Sequence, residues 1–179
     1  MSKVLILEGS PRGRGNSHIL CDELMRGAEA AGNTVKRIAV VRKHVAGCLG
    51  CNACYKNGGA CAQDDDMAQV REAMIAADVI VLASPIYFYS MSAQLKAVID
   101  RTYAFYRQLV GKRFVFIVSC AADEASYTQT MLASLRGFTC CVPESQELGY
   151  VLGIGAMDAG DVRGTAAMQE AYDLGAAIA

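Results

Sequence analysis

The chain has 179 residues, 53% hydrophobic and 20% charged, a size and composition that fit one globular domain with a substantial core. Lys and Arg total 17 against 18 Asp and Glu, a formal charge of −1, so the basic excess needed to bind a nucleic-acid backbone is missing. No apolar run approaches the roughly 18 residues that cross a bilayer, and the strand pattern starting at Lys3 leaves no room for a signal sequence, so no membrane contact and a cytoplasmic location are expected.

Residues 3–8 carry Val4, Leu5, Ile6 and Leu7 in succession, the pattern of a parallel strand buried on both faces. A glycine-rich loop leads into a helix on which Leu20, Leu24, Ala28 and Ala31 share one face, with Gly32 as its stop. Residues 34–41 include Lys36 and Arg37 and read as a more polar edge strand. Beyond a cysteine-rich stretch, a helix is predicted over 67–76, capped by Asp66. A strand over 77–84, a helix over 93–106, a strand over 114–119, a helix over 125–137, a glycine-diluted strand over 149–155 and a helix from Arg163 onward complete the alternation. The order implies an α/β fold, a doubly wound five-stranded parallel sheet with helices on both faces, formed by residues 1–179 as a single domain with a cysteine loop at 48–61 inserted after the second strand. In such a sheet, ligands collect beyond the carboxyl ends of the strands.

The first of those ends carries GSPRGRGNS at 9–17, where backbone amides and a helix dipole converge on an anion. Ser10, Asn16 and Ser17 add neutral donors, and Arg12 adds a charge. Asn16 stands where a Walker A loop has its lysine, which disfavours ATP hydrolysis. His18 occupies the third glycine position of a dinucleotide fingerprint, and no acidic residue ends the second strand. A single terminal phosphate is the better ligand. The third strand runs into SPIYFYSMS at 84–92, whose Tyr87, Phe88 and Tyr89 offer flat surfaces with polar edges; the same rings could instead cover the sheet end or a subunit interface. After the fourth strand, Ser119 and Cys120 face the same crevice and are small enough to let backbone approach a ligand. Lys96 and Asp100, four residues apart, read as a surface pair.

Eight cysteines are present, and Cys48, Cys51, Cys54 and Cys61 follow one another at intervals of two, two and six residues. Four thiolates without a histidine favour iron and sulfide over catalytic zinc. A structural zinc site, a redox disulfide and unligated thiols are the alternatives. Cys21, Cys140 and Cys141 read as structural, and adjacent Cys140 and Cys141 are not expected to face one site.

With GSPRGRGNS at 9–17, the cysteine loop ending in DDDM at 64–67 and SPIYFYSMSAQLKAVIDR at 84–101, the chain resembles the flavodoxin-like NAD(P)H-dependent FMN reductases, and among them the iron-sulfur flavoproteins. The resemblance implies a flavodoxin-like sheet and noncovalent FMN, with its phosphate held by Ser10, Arg12, Asn16 and Ser17. Pro85, Ile86, Tyr87 and Phe88 would line the flavin ring and ribityl chain, and Ser119 and Cys120 would approach from the other side. It also implies a [4Fe–4S] cluster on Cys48, Cys51, Cys54 and Cys61. The expected function is an FMN-dependent oxidoreductase that moves electrons between NAD(P)H, or a reduced ferredoxin-like carrier, and an acceptor. The alternatives are an iron-sulfur flavoprotein carrying single electrons and a non-catalytic zinc-binding module. No side chain is expected to be an obligatory acid or base, because hydride transfer to a flavin needs stacking and orientation more than proton transfer. A homodimer or homotetramer is expected from the apolar surface of the aromatic loop and the helix beginning at Ala93.

Overall fold

A computed structural model describes residues 1–179. Five strands, β1 (Lys3–Glu8), β2 (Thr34–Ala39), β3 (Val79–Pro85), β4 (Arg113–Ser119) and β5 (Gln146–Gly153), form one sheet in the order β2-β1-β3-β4-β5. Every pairing is parallel. The helices are α1 (Asn16–Ala30), a single turn α2 (Ala53–Lys56), α3 (Met67–Ala76), α4 (Ala93–Arg101), α5 (Gln129–Thr139) and α6 (Ala166–Ala176). This is the flavodoxin-like order expected of the alternating pattern.

The aliphatic runs divide between two cores because successive strand side chains point to opposite faces. Leu5, Leu7, Ile80, Leu82, Phe114 and Phe116 pack with α3, α4 and α5. Val4, Ile6, Val79, Val81, Val115 and Ile117 pack with α1 and α6. A fully buried Val, Leu or Ile contributes about 1.5–3 kcal/mol, so β3, buried along Val79–Ser84, is the hydrophobic spine of the molecule. β2 alternates exposed and half-buried residues, as an edge strand does.

Several boundaries differ from the sequence pattern for local reasons. β2 ends at Ala39, because Val40–Arg42 turn into a 3-10 helix. α4 ends at Arg101 rather than 106, and the Thr102 hydroxyl donates to the Ile99 carbonyl at 2.7 Å as two 3-10 turns, Thr102–Ala104 and Tyr106–Gln108, take over. β5 starts at Gln146, earlier than expected, with a register shift against Phe114/Val115. Asp66 does not cap α3: its carboxylate accepts from the His44 amide at 2.8 Å, and Asp65 instead receives the Met67 amide at 3.0 Å.

α1 and α6 meet backbone to backbone. A Cβ on Gly27 would overlap the Tyr172 carbonyl, and one on Gly175 would overlap the Leu24 carbonyl. Alanine is favoured over glycine inside a helix by about 1 kcal/mol, yet here overpacking opposes it at a cost of about 1–3 kcal/mol. Gly175→Ala is therefore expected to lower the urea midpoint, with the sign set by the close approach. A midpoint at or above wild type would show that the helices separate freely.

Candidate functional site

The carboxyl ends of β1, β3 and β4 open onto a cavity of about 280 Å³. The loop after β1 is pinned by its Gly9 amide, which donates to the Ala83 carbonyl of β3 at 2.7 Å. It turns back where the Gly15 amide donates to the Arg12 carbonyl at 2.9 Å. A Cβ on Gly15 would crowd Arg12 Cβ at 3.0 Å and Ser10 Oγ at 3.2 Å, so a larger residue would have to push the turn aside. α1 begins at once, without a side-chain cap, and the amides of Asn16, Ser17 and His18 have no backbone acceptor. Three free N–H groups at the positive end of a helix form an anion cradle.

Nine of the ten residues singled out for a flavin line this cavity: Ser10, Arg12, Asn16 and Ser17 from the first loop, Pro85, Ile86 and Tyr87 from the third, and Ser119 and Cys120 from the fourth. The register pairs Pro85 with Ser119, and the Ile86 amide donates to the Ser119 carbonyl at 2.8 Å, which joins the last two groups. The buried Ser17 and Ser119 hydroxyls bond each other at 2.8 Å. One of the two protons is used in that bond, and the other is left to donate to a ligand. Arg12 donates to the Met157 carbonyl at 3.0 Å and keeps its other nitrogens free. Burial raises the pKa of the Cys120 thiol, which donates to the Ala122 carbonyl at 3.3 Å, so the sulfur facing the cavity is neutral at pH 7.

Two expectations change. Phe88 lies outside the cavity and is fully exposed. Tyr87 and Ser90 bond each other through both backbone groups, at 2.8 and 3.0 Å, and the turn between them holds Phe88 and Tyr89 at φ of 48° and 63°. That reversal throws the Phe88 ring off the loop tip. Asn16, expected to hold phosphate through its side chain, uses it instead to tie down the loop after β5. Its amide donates to the Ala156 and Asp158 carbonyls at 3.1 and 2.8 Å, and its oxygen accepts from the Gly160 amide at 2.9 Å. Its backbone N–H remains without an acceptor. Ala156 and Met157, which this loop brings to the cavity, were not singled out by the sequence. Nor was Arg42, whose Nη2 lies 3.4 Å from where a Gly13 Cβ would stand and adds positive charge beside the cradle.

The cysteine loop is closed by a stem of unlike character. Arg101, at the end of α4, forks onto Asp65 with Nη1–Oδ2 at 2.6 Å and Nη2–Oδ1 at 3.0 Å, and Nη1 also donates to the Ala46 carbonyl at 2.9 Å. Asp65 Oδ2 receives the Ala46 amide at 3.1 Å, so both feet of the loop are held by one ion pair whose side chains are 1% and 5% exposed. Burial works to raise the Asp65 pKa, but the Arg101 hydrogen bond with the Ala46 and Met67 amides outweighs it and holds the carboxyl below its usual range. Beyond the stem, Cys48, Cys51 and Cys61 are exposed and Cys54 is half-buried. No three Cys, His, Asp or Glu side chains gather into a metal-holding group, so the loop as folded does not bring the four thiols together. The donor set itself suits a cluster, and one buried polar atom beside the loop is unspent: Arg101 Nε has no partner, and Arg101 and Cys61 line the same cavity. Elsewhere, Cys140 and Cys141 face the same way after all, both donating to the Gly137 carbonyl, at 3.2 and 3.5 Å. Lys96 and Asp100 form the expected exposed pair at 2.6 Å.

The family model described as NADPH-dependent FMN reductase matches residues 2–149. The chain belongs to that family. An iron-sulfur flavoprotein of Archaeoglobus fulgidus is 32% identical over 99% of this chain and 79% of its own length. Another, from Methanocaldococcus jannaschii, is 39% identical over 56% of this chain, which spans about half (51%) of that relative. These relatives place the chain in the iron-sulfur flavoprotein branch of a family of oxidoreductases. Among solved structures, an NAD(P)H:quinone oxidoreductase from Methanothermobacter marburgensis aligns with TM-score 0.76 at 17% identity over 98% of this chain and 94% of its own. A Bacillus anthracis FMN-dependent NADH-azoreductase, solved in complex with FMN, aligns with TM-score 0.71 at 16% identity over 97% of both chains. Both share the fold. No helix is long and apolar enough to cross a membrane.

The lowered Asp65 value carries a pH signature. A depressed carboxyl stabilises the fold fully above the ordinary aspartate value, about 3.9, and loses that contribution as pH falls through the folded value. Asp65→Asn strands a buried guanidinium and is expected to cost about 3–5 kcal/mol at pH 7. Urea unfolding of both proteins from pH 7 down to pH 3 should show the gap constant above pH ~4.5 and narrowing below pH ~4. A gap that does not change with pH would remove the ion pair from the stem.

Proposed function

We propose that the cavity at the carboxyl edge binds FMN and that the protein passes electrons from NAD(P)H, or from a reduced ferredoxin-like carrier, to an acceptor. The observation that carries this is the set of three unpaired amides at the start of α1, opening into a cavity walled by the aromatic loop and the end of β4. The residues fit such a ligand at both ends. The cradle at Asn16, Ser17 and His18 takes a dianionic phosphate, with the Ser17–Ser119 pair supplying a hydroxyl proton and Arg12 and Arg42 supplying charge. Pro85, Ile86 and Tyr87 offer the apolar wall a fused ring needs, and neutral Cys120 places no negative charge against it. FMN, when bound, supplies the redox chemistry, both hydride acceptance and single-electron exchange. The chain's own part is to bind and orient: no side chain in the cavity stands as an obligatory proton donor or acceptor. Exposed Phe88 and Tyr89, held out on a strained turn, are the surface through which a homodimer or homotetramer would form beside the cavity.

A second redox group, a [4Fe–4S] cluster on Cys48, Cys51, Cys54 and Cys61, is the reading supported by the donor set and by an orphaned Arg101 Nε in a side chain that shares a cavity with Cys61. It requires the loop above the stem to close, because its thiols stand apart as folded. In that version the protein exchanges single electrons between the two sites, while a simple reductase works without the loop. A structural zinc is the third occupant.

Titration with FMN and with riboflavin tests the first reading. Wild type is expected to prefer FMN by at least tenfold, and Ser17→Ala to lose about tenfold or more for FMN, the worth of a hydrogen bond to a charged group, while leaving riboflavin unchanged. Equal affinity for the two flavins would sink the phosphate cradle. For the loop, anaerobic purification with iron, sulfide and zinc quantified decides the occupant. Cys51→Ala should lose iron and sulfide and keep FMN. If it also keeps the wild-type rate with a one-electron donor, electrons do not pass through the loop.

A further inference from the structure

A buried carboxylate sits where the phosphate cradle begins. Glu8 closes β1, directly before the glycine-rich loop, and its side chain is 3% exposed. It shares a strand face with Val4 and Ile6, which pack on α1, and there His18 in the first turn of α1 meets it: Nδ1 is 3.0 and 3.1 Å from the two Glu8 oxygens. Arg37 of β2 reaches the same pair, with Nη1 3.8 Å from Glu8 Oε2 and 3.1 and 3.4 Å from the two ring nitrogens. A donor aligned with an in-plane lone pair on Nδ1 would stand far from Nε2, so Arg37 lies across the ring and the in-plane direction of Nδ1 belongs to Glu8. These partners assign the ring proton to Nδ1. Nε2 is left with Asp22 Oδ2 at 3.7 Å, too long for a hydrogen bond, in a side chain 28% exposed and within reach of water. Arg37 Nη2 is spent on Asp22 at 2.6 Å. Cys21, buried beside these groups, adds no charge, because burial first and the Glu8 charge next push its thiol far above the usual range.

We propose that Glu8 and His18 are a positioning pair for the cradle: the Nδ1–H bond fixes the first turn of α1 on β1, and Nε2 takes up a proton when a phosphate dianion arrives. The proposal rests on the phosphate-cradle reading above. His18 supplies the cradle's third amide, yet its imidazole does not line the cavity, so the ring acts on phosphate through charge and not through contact. With the ring neutral, Glu8 and Asp22 outnumber Arg37 by one negative charge, which opposes an incoming dianion. A proton taken from water at Nε2 cancels that excess, since histidine is the side chain whose ordinary titration falls between about pH 5 and 8. By linkage the effect is mutual: phosphate favours the imidazolium, and the imidazolium favours phosphate by the same factor. Only a proton moves, and no bond to the ligand is made or broken.

The test is FMN and riboflavin binding to the full chain from pH ~6 to pH ~8.5, wild type against His18→Gln, whose amide can still donate to Glu8 but takes no proton. The ratio of the variant's Kd for FMN to that of wild type is expected to fall about fivefold or more across that range, the lower end of typical coupling, while the ratio for riboflavin stays flat. The phosphate's own ionisation, at pH ~6, is common to both proteins and cancels in the ratio. Calorimetry at pH ~7 in buffers of different ionisation heat is expected to find more proton uptake on FMN binding in wild type than in the variant. An FMN ratio that does not change with pH overturns the proposal, since a purely structural loss weakens binding equally at every pH. Should the variant fail to fold, proton NMR of wild type decides the matter: the chain has two histidines, and FMN but not riboflavin is expected to move the titration midpoint of one of them to higher pH. No movement overturns the proposal. Wild type that binds the two flavins equally would instead defeat the cradle reading, an outcome distinct from an FMN preference indifferent to His18.

Discussion

The Arg101–Asp65 ion pair is the constraint on which the arrangement of the two loops depends. Every acceptor position on the carboxylate is in use: Oδ1 takes Arg101 Nη2 and the Met67 amide, Oδ2 takes Nη1 and the Ala46 amide. Buried pairs often contribute little net stability, because desolvation offsets attraction. This one does what an apolar contact could not, since it fixes backbone on both sides of an insertion. Closing the segment between Ala46 and Asp65 costs about 2.5 kcal/mol of chain entropy by the logarithmic loop law. A stem made of charge-assisted, directional bonds meets that cost at the loop's base.

The other loop problem is solved by backbone alone. In an all-parallel sheet every β-to-α turn lies at the same edge, so the first, third and fourth strands deliver their loops to one place without any special side chain. What remains is to let the chain come close. The Gly15 turn and the uncapped start of α1 do so by leaving amides unspent. Most helices satisfy such groups with a Ser, Thr, Asp or Asn cap. Here the cap position is Gly15, which has no side chain, and the neighbouring Asn16 points away to hold the loop after β5, so the donors stay open for an anion.

That division explains what was legible in the sequence. Strand order and the two cores follow from runs such as Val4–Leu7 and Val79–Leu82, because burial on both faces leaves an unmistakable aliphatic signature. The cavity residues were legible where a loop position alone brings a side chain to the sheet edge, as for Ser10, Ser17, Ile86 and Ser119. The partners that the Asn16 side chain takes within the protein, at Ala156, Asp158 and Gly160, were not legible because they lie far along the chain. Phe88 and Tyr87 are adjacent and chemically alike. Only the left-handed pair at 88 and 89 separates their fates, and nothing in residue type announces it. The apolar pattern of α4 ran on to Tyr106 because 3-10 turns keep a nearly helical period. CxxC spacing announces ligands, but not whether the chain has already gathered them.

α4 ties these observations together. Its Ser92 cap, whose hydroxyl accepts the Leu95 amide at 3.3 Å and whose own amide donates to Ser84 Oγ at 2.9 Å, anchors one end to the wall of the cavity. Its last residue is Arg101, the grip on the cysteine loop. Nine residues of helix span about 13 Å, and an unbroken helix of that length, packed along its buried face, has no hinge. The separation between the cavity wall and the loop stem is therefore fixed by one rigid element, not by the loops themselves. Under the two-site function proposed above, electron exchange would need that fixed spacing, which the buried ion pair at the far end of the helix holds in place.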